Sequence, residues 1–442
     1  MTVAAGVFAP GHLGELTRLI PFEMVDDVLA ATRRVQQRVR LLPARVVVYL
    51  LLAGVLFAEY GYVQVWQQLT AGLAGLSLAE PSSSALRQAR QRLGPAPLRA
   101  LFDLLRGPAA TTATAAVRWQ GLLLTAIDGT TLSVADTAAV RARYRKHRCN
   151  HGGAGYPALR LSALLTCGTR SVIDAVFDPT STSELDQART LARSLKAGML
   201  LLADRNYAAA NLVKSLAATD AELLIRCKTG RHLPPITRYR DGSWLSMIGT
   251  VRVRVIDARI AVKTSTGTNT GDYRLITTLL DPRRYPAADL ITLYHQRWEI
   301  ETAYLELKSS ILGGRVLRAR TPDGIDQEIH ALLIVYQLLR TAMVDATDTR
   351  PGLDPDRASF TTALITARNQ VTQAAGIITE TTIDLVGAIG QAVLNHLLPD
   401  RRIRVKARMI KRSNSKYQAR GPNIDRRSYQ ATIAINIVTE EL

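Results

Sequence analysis

Leu122-Leu-Leu-Thr-Ala-Ile-Asp128-Gly-Thr130 is a short apolar run that stops on a carboxylate. It is too short for a buried helix and too uniformly apolar for a strand with one wet face. It therefore reads as a central strand covered on both faces. Met199-Leu-Leu-Leu-Ala-Asp204 repeats the pattern and predicts a second buried strand, again closed by an aspartate. Between them, Leu159 to Cys167 and Ser171 to Phe177 are strand-like runs joined at Gly168-Thr-Arg, which predicts a hairpin. Ser183-Glu-Leu-Asp186 has the spacing of a capping box at a helix start, and Gly198 ends that helix. A helix over Ala208–Leu216 and a strand over Ala221–Arg226 follow. The order predicts an α/β fold built on a mixed sheet.

An aspartate after a strand is ordinary turn chemistry, so Asp128 or Asp204 alone reads as readily as an Asx-turn. A third stretch changes the weighing. Tyr294-His-Gln-Arg-Trp-Glu-Ile-Glu-Thr-Ala-Tyr-Leu-Glu-Leu-Lys308 reads as one helix entered after Pro286. At about 100° per residue, Tyr294, Arg297, Glu301 and Lys308 share one polar face, whereas Glu299 and Glu306 point well away from Glu301. A solvated face of i,i+4 ion pairs would look similar. With Asp128 and Asp204, however, Glu301 completes a set of three carboxylates without a cysteine or histidine close by. That donor set suits Mg²⁺ or Mn²⁺ rather than zinc. It predicts two-metal phosphoryl transfer, with two ions about 3.5 to 4 Å apart. Arg297 and Lys308 are then expected to clamp phosphates and Tyr294 to contact a nucleic-acid backbone.

Charge points the same way. The 442 residues carry 56 Lys and Arg against 37 acids, a formal charge of +19, and the pI is near 10.2. Between Arg401 and Arg427 there are eleven basic residues and one acid, Asp425, as expected of an arm that tracks phosphates. The three cysteines, Cys149, Cys167 and Cys227, form no zinc spacing and predict a reducing compartment. The apolar run Val46 to Ala58 is shorter than the roughly 20 residues that span a bilayer, and no secretory leader is read at the amino terminus. A cytoplasmic, nucleoid-associated protein without a membrane partner is expected.

The chain resembles the IS4 family of bacterial insertion-sequence transposases. The residues that carry the resemblance are Asp128-Gly-Thr-Thr with Asp136-Thr137, Leu202-Ala-Asp204-Arg-Asn-Tyr207, and Tyr294-x2-Arg297-x3-Glu301-x6-Lys308, the family's Tyr-Arg-Glu-Lys signature. Leu19-Ile-Pro21, Arg40-Leu-Leu-Pro43, Arg90-Gln-Arg-Leu-Gly94 and Arg318-Ala-Arg320 with Asp323 to Glu328 agree as well. Val140 departs from the pattern, which has an Asn there. The resemblance implies an RNase H-like catalytic core using Asp128, Asp204 and Glu301 with two divalent ions. It implies cut-and-paste transposition through a DNA hairpin, by a homodimer that pairs the terminal inverted repeats of double-stranded DNA and then engages target DNA. A catalytically inactive DNA-binding derivative and an RNase H-like structure-specific nuclease are the alternatives.

The expected organisation is a helical DNA-binding domain at 1–117, core segments at 118–228 and 285–345 around a β-rich insertion at 229–284, and a helical region with the basic tail at 346–442. Within the insertion, Trp244 is a candidate to stack on a displaced base, with a core tryptophan the alternative. The alternating Arg252 and Arg254 read as a wet strand face or as DNA contacts. Arg87, Arg90 and Arg92 lie on a helix that either docks DNA or simply packs. Asp326, Gln327 and Glu328 read as helix-start residues rather than further ligands.

Overall fold

The computed structural model describes residues 9–38, 40–73, 75–149, 152–265, 267–375, 386–399, 404–406 and 428–438. The chain forms two compact units, each assembled from separated segments. One comprises Met1–Ala115, Leu132–Arg145 and Ala303–Pro399; the other comprises Ala116–Thr131, Lys146–Thr302 and Asp400–Leu442.

The second unit is built on the mixed sheet anticipated from the apolar runs. Its strands are β1 Leu122–Ser133, β2 Ala158–Thr166, β3 Val172–Pro179, β4 Met199–Ala203, β5 Glu222–Cys227, β6 Trp244–Ile248, β7 Val251–Thr264, β8 Gly267–Thr277 and β9 Ser428–Ile437. Along the sheet the order is β9-β7-β8-β5-β4-β1-β2-β3, with β6 also paired to β7. β1, β4 and β5 run parallel. The β2–β3 hairpin is antiparallel, and so are the pairings from β5 outward to β9. All five residues of β4 are buried, as a strand covered on both faces requires.

The sheet of the core continues into the β-rich segment 229–284, where β8 pairs with β5. Near the end of the chain, β9 pairs with β7 from Ala258↔Ile437 to Thr264↔Ala431. Of the basic run 401–427, only Arg404–Lys406 lies within the described residues, as a short strand against β9.

The first unit is helical. Its amino-terminal segment carries helices at Phe22–Ala31, Ala44–Leu56, Tyr62–Thr70, Ser83–Leu93 and Ala96–Leu105. The Ser82 side chain accepts a hydrogen bond from the Ala85 N–H, and Gly94, at φ 66°, stops the same helix. Helix Pro322–Asp348 is long and apolar enough to cross a bilayer, but 89% of its most apolar window is buried, which makes it the core helix of this unit. Helices Ala44–Leu56, Ala96–Leu105, Phe360–Thr372 and Gly387–Asn395 pack around it.

Two of the segments quoted for the resemblance meet in this unit. Arg90 and Arg318 both lie on the Tyr62 ring, 3.9 and 4.9 Å from its centre. Glu328 accepts from the N–H groups of Arg318 and Ala319 at 3.0 and 2.9 Å, and Gln327 donates to the Arg90 and Gly94 carbonyls, both at 2.8 Å. Gln327 and Glu328 therefore hold the fold together, in keeping with a role other than metal binding.

Candidate active site

The register of β1 on β4 sets Leu123 opposite Met199 and Ala126 opposite Leu202. Asp128 and Asp204 each lie two residues past the last of these pairs, at the same end of the paired stretch, and the Asp204 charge acts on Asp128. Each also makes the local bond that a plain turn reading anticipates. The Gly129 N–H donates to Asp128 Oδ1 at 2.8 Å, and the Asn206 N–H donates to Asp204 Oδ1 at 2.7 Å. Those bonds occupy one oxygen of each pair and fix the orientation of the carboxylate.

The segment carrying the third acid is helical but not uniformly wound. It runs as α-helix Ala287–Tyr294, a 3₁₀ turn His295–Trp298, α-helix Glu299–Leu305 and a π-helical turn Glu306–Ile311. The equal angular step assumed from the sequence therefore fails twice within the signature. Glu301 is exposed. Lys308 falls on the π-helical turn, within the first unit.

Tyr294 is buried, and its hydroxyl donates to the Ala203 carbonyl at 3.0 Å. It fixes the end of β4 beside Asp204. Arg297 is also buried. Its guanidinium stands 3.6 Å from Asp128 Oδ2 and donates to Glu301 Oε1 at 3.1 Å. One cation thus joins the first and third acids of the predicted triad. Burial pushes the Asp128 carboxyl up to about 7; the Gly129 N–H and Arg297 oppose the rise, and Glu184 and Asp204 add to it.

The two glutamates read as pointing away from Glu301 each have a buried partner of their own. Glu299 accepts from Arg170 Nε at 2.6 Å, both side chains being buried, with exposures of 1% and 6%. Arg170 sits in the β2–β3 turn at φ 56°. Glu306 is likewise buried and meets Arg340 and Tyr336 in the first unit. Neither glutamate belongs to the site.

Two residues near the acids, Glu184 and Trp298, were not marked by the sequence reading. Glu184 Oε2 accepts from Asn206 Nδ2 at 2.6 Å. A Cβ on Gly129 would lie 2.5 Å from Glu184 Oε1, so the Gly of Asp128-Gly-Thr leaves room for it. From sequence, Glu184 is only the first residue of a capped helix. Trp298 is 48% exposed and adjoins Arg297, whose guanidinium carbon is 5.6 Å from its ring centre. Trp244, by contrast, donates its ring N–H to the Leu233 carbonyl at 2.9 Å and lies half-buried in the sheet. Arg254 is wholly buried, bonded to Asp241, Ser243 and the Tyr285 carbonyl, and so is neither a wet face nor a DNA contact.

The donors present are hard oxygens. Asp128 resists ionisation where it stands, which a divalent cation would offset, so Asp128 and Asp204 fit such an ion. With Arg297 between Asp128 and Glu301, no group of three potential ligands among the described residues is close enough to hold one ion.

Residues 10–103 match the family described as insertion element 4 transposase N-terminal, and residues 119–338 match the transposase DDE domain. Over 408 residues the chain is 28% identical to transposase InsG for insertion sequence element IS4 of Escherichia coli K12, covering 89% of this chain and 91% of that one. It is 27% identical over 198 residues to the putative transposase InsZ of Escherichia coli K12, covering 45% of this chain and 65% of that one. Among solved structures, the piggyBac transposase synaptic complex with hairpin DNA is similar with a TM-score of 0.43 and 10% identity, over 87% of this chain and 85% of that one. The family matches, which fall on the strands and the signature helix that carry the acids, establish that the chain belongs to the IS4 family of transposases and is an enzyme of the DDE class.

Proposed function

We propose that this transposase moves its insertion sequence by cut-and-paste, with Asp128, Asp204 and Glu301 as its catalytic carboxylates on an RNase H-like core. The observation that carries the reading is that Asp128 and Asp204 come at the same end of the paired stretch of neighbouring parallel strands, near enough for the Asp204 charge to act on Asp128, with Arg297 joining Asp128 to Glu301. The order β3-β2-β1-β4-β5 with its antiparallel hairpin fits such a core. In the proposed sequence, water cuts one strand at each element end. The freed 3′-hydroxyl attacks the opposite strand to give a hairpin, a second water opens the hairpin, and the 3′ ends join target DNA.

The three carboxylates would hold two Mg²⁺ or Mn²⁺ ions, which when bound activate the attacking oxygen and stabilise the leaving one. Arg297 and Lys308 are assigned to phosphates. Tyr294 holds the Asp204 turn through Ala203. Trp298, exposed next to Arg297, is the aromatic suited to stack on an unpaired base. The partners are double-stranded DNA, as terminal inverted repeats and target, and a second copy of the chain. The setting is the bacterial cytoplasm at the nucleoid.

The helical unit is assigned to DNA-end binding. Arg33, Arg34, Arg38, Arg40 and Arg92 line one basin of about 320 Å³, and among the described residues no carboxylate lines it. Arg34 Nη1 donates to the Arg92 carbonyl at 3.1 Å, which fixes one rim. Such a basin suits phosphates rather than an apolar ligand.

Glu301→Gln tests the reading on DNA carrying the flanking terminal repeats. End binding should persist while cleavage with Mg²⁺ is lost; cleavage that survives would refute the assignment. Wild-type protein should give hairpin-ended products. Plain nicks would favour a structure-specific nuclease, and a band shift alone an inactive binding derivative.

A further inference from the structure

We propose that Glu184 is a positioning residue that holds the two catalytic aspartates in register. The inference rests on the assignment of Asp128 and Asp204 as metal-binding carboxylates. The two N–H groups that orient the aspartates belong to Gly129 and Asn206; Glu184 bonds the Asn206 side chain and fills the space beside Gly129. Its Oε2 accepts from Asn206 Nδ2 at 2.6 Å. Its Oε1 lies where a side chain on Gly129 would have to go, beside Ser162 Oγ, which would be 3.0 Å from the same Cβ. One carboxylate thus spans the turn after β4 and the strand just past Asp128.

β1 and β4 pair only from Leu123 to Ala126 on one side and from Met199 to Leu202 on the other. Past those pairs the ladder hydrogen bonds no longer fix the separation of the strand ends, and the aspartates lie there. Glu184 supplies the missing tie from outside the ladder. It is placed by the helix Glu184–Leu191, whose start is fixed by the Ser183 cap and whose Gln187 bonds Ser162 on β2 at 2.7 Å. A favourable first-turn acid at that helix start would account for the charge. It would not account for the side chain reaching Asn206 across 22 residues of sequence.

The test is Mn²⁺ binding to the full-length protein without DNA, read by water-proton relaxation, with thermal unfolding measured on every variant. Glu184→Ala should weaken Mn²⁺ binding about tenfold or more, the range for lost outer-shell partners, while the unfolding temperature changes little. Asn206→Ala, which removes the other half of the tie, should match it. The double variant should be no weaker than either single one, since both remove one link. Glu184→Gln keeps an oxygen that accepts from Asn206 and should bind nearly as well as wild type.

Unchanged affinity in both alanine variants would overturn the proposal, and so would additive losses. If Glu184→Gln were as weak as Glu184→Ala, the charge itself would be required, and positioning would be the wrong role. Asp128→Asn separates the underlying assignment: if it binds Mn²⁺ as wild type does, that assignment fails and the role of Glu184 falls with it.

Discussion

Arg297 stands against Asp128, its Nη1 3.6 Å from Oδ2, and the same guanidinium holds Glu301. The enzyme thus keeps a cation of its own among carboxylates that would otherwise repel one another. Even so, Asp128 ionises only with difficulty, because burial outweighs Arg297 and the Gly129 N–H.

A pH dependence of stability follows. The Asp128 carboxyl is raised from 3.8 to about 7 in the folded protein. Between those values the native state holds a proton that the unfolded chain gives up. The stabilisation is complete below the unfolded value and is lost as pH rises through about 7. Metal-free wild type should therefore lose, from about pH 4 to pH 8, roughly 3 to 4 kcal/mol relative to Asp128→Asn. Urea unfolding of both proteins across that range checks it. Parallel curves would remove Asp128 as a strained acid.

Arg170→Ala should be among the more damaging changes in the sheet unit. It leaves Glu299, 1% exposed, without the guanidinium now 2.6 Å away. Breaking one side of a buried pair costs about 3 to 5 kcal/mol, whereas replacing both partners by apolar groups is often neutral. Arg170→Met combined with Glu299→Met should accordingly be more stable than Arg170→Ala in thermal unfolding. The opposite ranking would mean the pair contributes specific binding energy beyond charge compensation.

Trp298→Ala should separate the strand-cutting steps. If the exposed ring stacks on an unpaired base, its loss removes about 1 to 3 kcal/mol from the intermediate in which that base is displaced. Gel analysis should show first-strand nicking near the wild-type rate and hairpin formation slowed roughly 5- to 150-fold. Equal slowing of both steps would assign the ring to general DNA binding.

The arginine basin makes a prediction about salt. Arg38→Ala with Arg40→Ala should weaken end binding and flatten its dependence on salt. The slope of log K against log salt should fall by about 0.9 for each phosphate contact removed. Titration of inverted-repeat DNA at several salt concentrations measures this. An unchanged slope would move the phosphate path elsewhere on the helical unit.

How much of this was legible in the sequence depends on whether the cause was local. The runs before Asp128 and Asp204 are buried strands for a reason written in them: only a strand covered on both faces tolerates such uniform apolarity. Ser82, Gly94 and Ser183 ended or began helices through bonds to their own neighbours. Other causes lie far along the chain. The reach of Glu184 depends on Asn206, and Tyr294 is turned inward by Ala203, which no helical pattern encodes. The signature spacing was visible, but the 3₁₀ and π turns that alter its facing come from packing. The alternation Arg252-Val-Arg254 looked like a wet face because the pattern cannot register that Asp241 and Tyr285 await Arg254 inside.

The last strand of the chain has a practical consequence for anyone trimming the protein. β9 lies along β7 through seven residue pairs. A shortened chain cut before Ser428 would leave that row of amides and carbonyls open to water, a template for the same row on another molecule. Fibrous or amorphous self-association of such a truncated chain should therefore be blamed on the bared strand before any fault is sought in the catalytic centre.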